Sequence, residues 1–265
     1  MQAPVSHRPM PANPIVTLSD VSKTFDNGTV ALAGADLSVR EGEFLSLLGP
    51  SGCGKSTILR LIAGLDEPTA GTLAWAGGTR PEVGFVFQEP TLMPWARVFD
   101  NVWLPLRLKG IGKKAARDTI MSALTSVGLA DFARAYPREL SGGMKMRVSI
   151  ARALATNPAV LLMDEPFAAL DEITRFRLND DLLRLWAERG STVIFVTHSV
   201  YESVYLSTRI AVMKSRPGRV VDEIAVTEPS PRTEIFRTSP YYAETARKTS
   251  DALHRAMDAH ESEPA

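Results

Sequence analysis

The chain has 265 residues, enough for one large or two modest domains with a substantial core. Its 30 basic and 30 acidic residues balance to zero, which argues against a broad cationic surface for nucleic acid and leaves only a local patch open. One cysteine, Cys53, excludes an internal disulfide and fits a reducing, cytosolic setting; no apolar run approaches the about 18 residues of a membrane-spanning helix.

Residues 1–14 contain four prolines and no apolar signal-peptide core, so they read as a disordered lead-in. Residues 15–25 alternate as a strand, Asp26-Asn27-Gly28 is a turn, and Ala31 to Val39 reads as a second strand. Phe44 to Leu48 is a short buried strand. It leads into Gly49-Pro50-Ser51-Gly52-Cys53-Gly54-Lys55-Ser56-Thr57, which matches G-x-x-x-x-G-K-[ST] in full. Ile58 to Ala63 then reads as a helix, stopped at Gly64. Strand, glycine loop and helix are the context this motif needs. The glycines let backbone N–H groups turn inward onto phosphate oxygens, and the helix N-terminus adds positive potential. Lys55 is placed to reach β- and γ-phosphates, and the Ser56 hydroxyl to ligate Mg²⁺. Cys53 occupies a variable position of the loop, where a small side chain suffices.

Gly71 to Trp75 suggests a strand, Gly77-Gly78 a turn, and Val83 to Phe87 a buried strand ending at Gln88. From Phe99 to Ala155 the spacing is helical, with breaks at Lys109-Gly110, Gly128 and Pro137; Ile120, Leu124 and Val127 form an apolar stripe. This is a helical subdomain inserted in an α/β domain. Val160 to Met163 is a continuous apolar run, as for a parallel strand covered on both faces, and Asp164-Glu165 follow it. A helix spans Ile173 to Arg189, closed by Gly190; Thr192 to Val196 is the next buried strand, with Thr197-His198 at its end. Beyond Met213 the chain reads as irregular, with Pro217, Pro229, Pro231 and Pro240. Ser239-Pro240 then starts a helix with Tyr242, Ala246, Thr249, Leu253 and Met257 on one face.

Three buried strands therefore deliver polar groups to their C-terminal ends, the edge where open α/β sheets bind ligands. A carboxylate at Asp164 can hold Mg²⁺, and the next, Glu165, can polarise an attacking water. Gln88 can touch metal or water and release them when the insert tilts, although alone it reads as a surface glutamine. His198 can hydrogen-bond a γ-phosphate or the water; alone, it reads as a structural histidine. Leu140-Ser141-Gly142-Gly143 opens a helix carrying Lys145 and Arg147, and its serine and glycines can present N–H groups to a second anion.

The set GPSGCGKST (49–57), Gln88, LSGG (140–143), VLLMDEP (160–166), Leu170-Asp171 and His198 resembles the ATP-binding cassette (ABC) ATPases over roughly residues 15–215. The resemblance implies a mostly parallel P-loop ATPase core over 15–89 and 156–215, with an N-terminal antiparallel β part. It also implies a helical signature subdomain over 90–155 and a C-terminal extension over 216–265. It further implies head-to-tail dimers in which Ser141, Gly142 and Gly143 act on the partner's ATP. Glu165 becomes the catalytic base, Asp164 and Ser56 with Gln88 the Mg²⁺ site, Asp171 part of the dimer seam, and Phe25 the aromatic that stacks on adenine.

TLMPWARVFDNV (91–102) and LSGGMKMRVSIARAL (140–154) are similar to import cassettes for nitrate, sulfonates and taurine. That implies a peripheral ATPase on the cytoplasmic side of the inner membrane, coupled to permease subunits and indirectly to a periplasmic solute-binding protein. Leu92, Met93 and Trp95 suit a groove for a short permease helix, or else are core. Met144, Ala168, Ser199 and Ser203 depart from residues common in such cassettes. A soluble ABC ATPase acting on nucleic acid or ribosomes is the alternative, although the chain has neither the second cassette nor the long coiled coils usual there.

Overall fold

The computed structural model describes residues 13–215, 217–228 and 232–261. The lead-in expected over 1–14 lies outside them, except for Asn13 and for Pro14, which opens the first strand. Strands β1 (Pro14–Thr24), β2 (Val30–Arg40) and β4 (Ala70–Trp75) form an antiparallel sheet in the order β2-β1-β4. A second sheet runs β5-β6-β7-β3-β8-β9, from β3 (Phe44–Leu48), β5 (Val83–Val86), β6 (Val160–Asp164), β7 (Thr192–Thr197), β8 (Arg209–Lys214) and β9 (Arg219–Ala225). All its pairings are parallel except β8 with β9.

The continuous apolar runs of the inner strands follow from covering on both faces. Leu161, Met163, Val193 and Phe195 point into one core, and Val160, Leu162, Ile194 and Val196 into the other. The period-two alternation of a strand assigns them so. The first core is roofed by α2 (Val98–Leu108), α3 (Arg117–Ser126), α4 (Gly142–Leu154), α5 (Glu172–Arg189), α6 (Val200–Leu206) and α7 (Pro240–Glu261). The second is roofed by α1 (Lys55–Ala63) and the antiparallel sheet. Two helices end where glycine was expected to end them: Gly64 at φ 67° and Gly190 at φ 65° take the left-handed conformation that stops a helix.

The expected strand at 83–87 ends at Val86, because Phe87 turns out to solvent. The helical insert is three helices, with two short 3₁₀ turns between α3 and α4, and Ile120, Leu124 and Val127 are buried. The stretch beyond Met213 is not simply irregular: it contains β9. Its prolines fall outside the strand, and its alternating half-buried and exposed residues mark a sheet edge. In α7 the Ser239 hydroxyl accepts from Tyr242 N at 3.1 Å, as the capping reading requires. Tyr242, Ala246 and Thr249 are buried, but the stripe continues through Ala252 and Ala256, leaving Met257 at 46% exposure on its solvent edge.

Candidate active site at the carboxyl edge of the parallel sheet

The loop between β3 and α1 is fixed by backbone packing. A Cβ on Gly49 would lie 2.7 Å from Met213 O, and one on Gly54 (φ 88°) would lie 2.5 Å from Leu32 Cδ2. The start of β2 and the backbone at Gly218 close in behind: Gly218 N donates to Ala31 O at 3.1 Å, and a Cβ there would meet Cys53 O at 2.2 Å. Gly52 (φ 77°) faces open space, and Ser51 is exposed at the loop's rim. Lys55 begins α1 yet is only 4% exposed, and its Nζ donates to Gly49 O at 2.7 Å and Pro50 O at 2.9 Å. The ammonium is thus held in the loop's concavity. Burial pushes the Cys53 thiol pKa up, against the pull of Lys55, so this cysteine is a packing residue and not a reactive thiolate.

Three strand ends converge on this loop. Ser56 Oγ donates to Asp164 Oδ1 at 2.9 Å, and burial raises the Asp164 pKa while that hydrogen bond pulls it down. Glu165 is one residue beyond β6 at φ 46°, a left-handed conformation uncommon for a non-glycine residue. Its N–H donates to Val196 O at 3.1 Å. Its carboxylate meets His198, with Oε1 2.5 Å from Nε2, while His198 Nδ1 lies 3.0 Å from Gly49 O and 3.5 Å from Lys55 Nζ. Two bonded groups therefore meet at one sheet edge: Ser56 with Asp164, and Lys55 with His198 and Glu165, with Asp164 and Glu165 adjacent in the chain.

The other expected residues lie apart from it. Gln88 is exposed in the bend two residues beyond β5. Phe25 is half-buried at the turn joining β1 to β2, with Lys23 Nζ 5.4 Å from its ring centroid; the chain runs from that turn straight to Ala31 and Leu32 behind the phosphate loop. Ser141 caps α4, accepting from Met144 N at 3.3 Å, and both Ser141 and Gly142 are exposed. Asp171 caps α5, accepting from Thr174 N at 3.0 Å, and that backbone hydrogen bond holds its carboxyl below the usual range. The two helix starts abut: a Cβ on Gly142 would be 3.5 Å from Leu170 Cδ2, and one on Gly143 would be 2.7 Å from Thr174 Cγ2.

Several residues with a part in this geometry escaped sequence reasoning. Buried Asn101 accepts from Met93 N at 2.7 Å and donates to three carbonyls of the 93–97 loop, so that Trp95 is presented at 77% exposure and is not core. Arg152 on α4 donates to Pro90 O and Thr91 O, each at 2.9 Å, tying the signature helix to the segment after Gln88. Glu202, in the first turn of α6, is buried, and Thr197 Oγ1 donates to it. The nearest sequence signal was its place in the first turn after Ser199, a capping pattern. Gly218 had only its glycine to mark it.

A family model described as ABC transporter matches residues 32–168. The chain is 41% identical over 259 residues to the nitrate import ATP-binding protein NrtD of Synechocystis sp., covering 93% of this chain and 97% of that protein. It is 46% identical over 238 residues to the aliphatic sulfonates import ATP-binding protein SsuB 1 of Pseudomonas syringae, covering 90% and 94%. Among solved structures, the dimeric bacterial ABC transporter cassette MJ0796 superposes with a TM-score of 0.72 at 36% identity, over 81% of this chain and 100% of that one. The same cassette is also known as a dimer in a post-hydrolysis state bound to ADP and Pi.

Proposed function

The chain belongs to the ABC transporter family as an ATP-binding, ATP-hydrolysing cassette, and from that premise we propose that it powers uptake of a small anion or organic solute of the nitrate or sulfonate kind. Among the described residues no helix is long and apolar enough to cross a membrane. We assign the passage to partner permease subunits, with this chain peripheral on their cytoplasmic side and a periplasmic solute-binding protein upstream. The import functions of the two named relatives support this reading, and the nucleic-acid alternative finds no support in them. A cavity of about 330 Å³ lined by Phe85, Phe87, Leu104, Leu108 and Arg152, together with exposed Trp95, is the surface we assign to the permease.

The observation that carries the catalytic reading is the meeting at one sheet edge of the Ser56–Asp164 pair with the linked Lys55, His198 and Glu165. Lys55 exchanges its carbonyl partners for phosphate oxygens of ATP. Ser56 and Asp164, joined by Gln88, would hold Mg²⁺; one hydroxyl and one carboxylate fit a cation that would take its remaining ligands from phosphate and water. That ion, when bound, screens the phosphate charge. Glu165 accepts the proton of the attacking water, and His198 orients its carboxylate through the Nε2 contact. Ser141 and Gly142, exposed at the start of α4, contact the ATP of the partner cassette, with Gly143 setting the helix in place. Asp171 lies at the seam and Phe25 on the adenine.

The test is the full-length Glu165→Gln chain with MgATP. Removing the proton acceptor while keeping the phosphate contacts makes it a stable dimer on size exclusion with turnover reduced at least about 100-fold. Adding Ser141→Arg returns it to monomer. Turnover within a few-fold of wild type refutes the base, and a dimer that persists with Arg at 141 refutes the shared site.

A further inference from the structure

We propose that the segment from Arg232 to Tyr242 clamps α6 and thereby positions His198, with Arg232 as the principal positioning residue. The proposal rests on the reading of His198 as part of the ATP site.

His198 sits between the end of β7 and the start of α6, and both its neighbours are tied to the first turn of that helix. Thr197 Oγ1 donates to Glu202, and Ser199 N donates to Thr197 Oγ1 at 3.0 Å. Ser199 Oγ accepts from Glu202 N at 3.2 Å. A shift of α6 therefore carries the imidazole with it, away from Gly49 and Glu165. With seven residues, α6 is too short to be stable by itself, and its last carbonyls lack helical partners.

The C-terminal segment supplies those partners. Arg232 Nη1 donates to Val204 O at 3.1 Å and Tyr205 O at 2.7 Å, and Nη2 donates to Glu228 O at 3.1 Å. Arg232 is 6% exposed, and its guanidinium bonds to carbonyls at the negative end of α6, with the Glu228 carboxylate near enough to add to the attraction. Burial lowers its pKa to about 10, which leaves it charged at neutral pH. Packing alone needs no buried cation, and an aliphatic side chain would fill the space at less cost. Tyr242 Oη donates to Tyr201 O at 2.9 Å, in the first turn of α6. Arg237 and Tyr205 both reach Asp180 on α5, at 2.8 and 2.6 Å, so the clamp spans both helices beside the site.

The test measures ATPase kcat and KM and nucleotide affinity on the full-length chain. Arg232→Ala is expected to lower kcat roughly tenfold, the order of a lost hydrogen bond to a charged group, with nucleotide affinity within about twofold of wild type. Arg232→Lys recovers most of the loss. Tyr242→Phe, which keeps the ring and loses one hydroxyl, lowers kcat about two- to fivefold and decides the matter if Arg232→Ala does not fold. In a His198→Ala background the Arg232 or Tyr242 substitution costs little more, because the clamp acts through the residue already removed. An equal kcat loss in that background, or wild-type kcat in Tyr242→Phe, overturns the clamp alone. Wild-type turnover in His198→Ala itself overturns the assignment of His198, and the clamp with it.

Discussion

Gly143 tests whether the signature glycines are needed for the partner's nucleotide or for packing within the protomer. A Cβ there would sit 2.7 Å from Thr174 Cγ2, about 1 Å inside the optimal separation of two carbons. Thr174 has little freedom to give way: it is β-branched in the first turn of α5, and its N–H is held by Asp171. Overpacking of this kind costs about 1–3 kcal/mol, against a gain of up to about 1 kcal/mol from replacing a helical glycine. Gly143→Ala should therefore lose about 1–2 kcal/mol net, a fall in melting temperature of roughly 2–8 °C for a chain of this size. Thr174→Ser removes the offending methyl and keeps the hydroxyl. The double variant should melt at or above the wild-type temperature and, carrying Glu165→Gln, should still dimerise with MgATP. The assay is thermal unfolding followed by size exclusion. If Gly143→Ala alone melts like the wild type, or the double variant melts with the single one, the abutment of α4 on α5 is not what requires glycine.

Two further outcomes follow from burial. Trp95 is 77% exposed, so Trp95→Arg should leave stability within about 0.5 kcal/mol and ATP binding unchanged, while co-purification with the permease is lost; undiminished co-purification refutes the docking surface. Burial raises the Glu202 pKa, with the Thr197 hydrogen bond and the Arg175 charge opposing it. A carboxyl with a raised folded pKa contributes stability below its unfolded value and loses it as pH rises through the folded one. The wild-type melting temperature should accordingly fall relative to that of Glu202→Gln as pH climbs from the ordinary glutamate range, and parallel melting curves across that window refute it.

The inner sheet was legible because its strands are buried on both faces. Val160 to Met163 and Val193 to Val196 carry no polar residue on either face, and no amphipathic helix reads that way. The edge strand β9 was not legible. Its apolar residues do not alternate cleanly with polar ones, every second residue is exposed, and the flanking prolines outweighed a strand only seven residues long. The same logic separates the two ends of α7. Tyr242, Ala246 and Thr249 lie near the centre of the buried stripe, whereas Met257, although hydrophobic, lies at the stripe's edge, where small alanines carry the contact instead.

At the site, residues bound to phosphate chemistry were legible one by one, because G-x-x-x-x-G-K-S and a paired acid after an apolar strand have few other uses. What holds them was not. Glu165 reaches His198 from a left-handed backbone, and nothing in Asp-Glu-Pro specifies that φ; it arises because Glu165 N bonds across to Val196 O on the next strand. His198 in turn takes its position from Thr197, Ser199 and Glu202, whose side chains cap one another within five residues. Glu165 and His198 are thus placed by strand ladder on one side and by helix start on the other. A displacement of either element separates Glu165 from His198 without touching a residue of the phosphate loop. That is the arrangement a transport ATPase needs if movement of its helices, driven from a membrane partner, is to set the rate of hydrolysis while ATP stays bound.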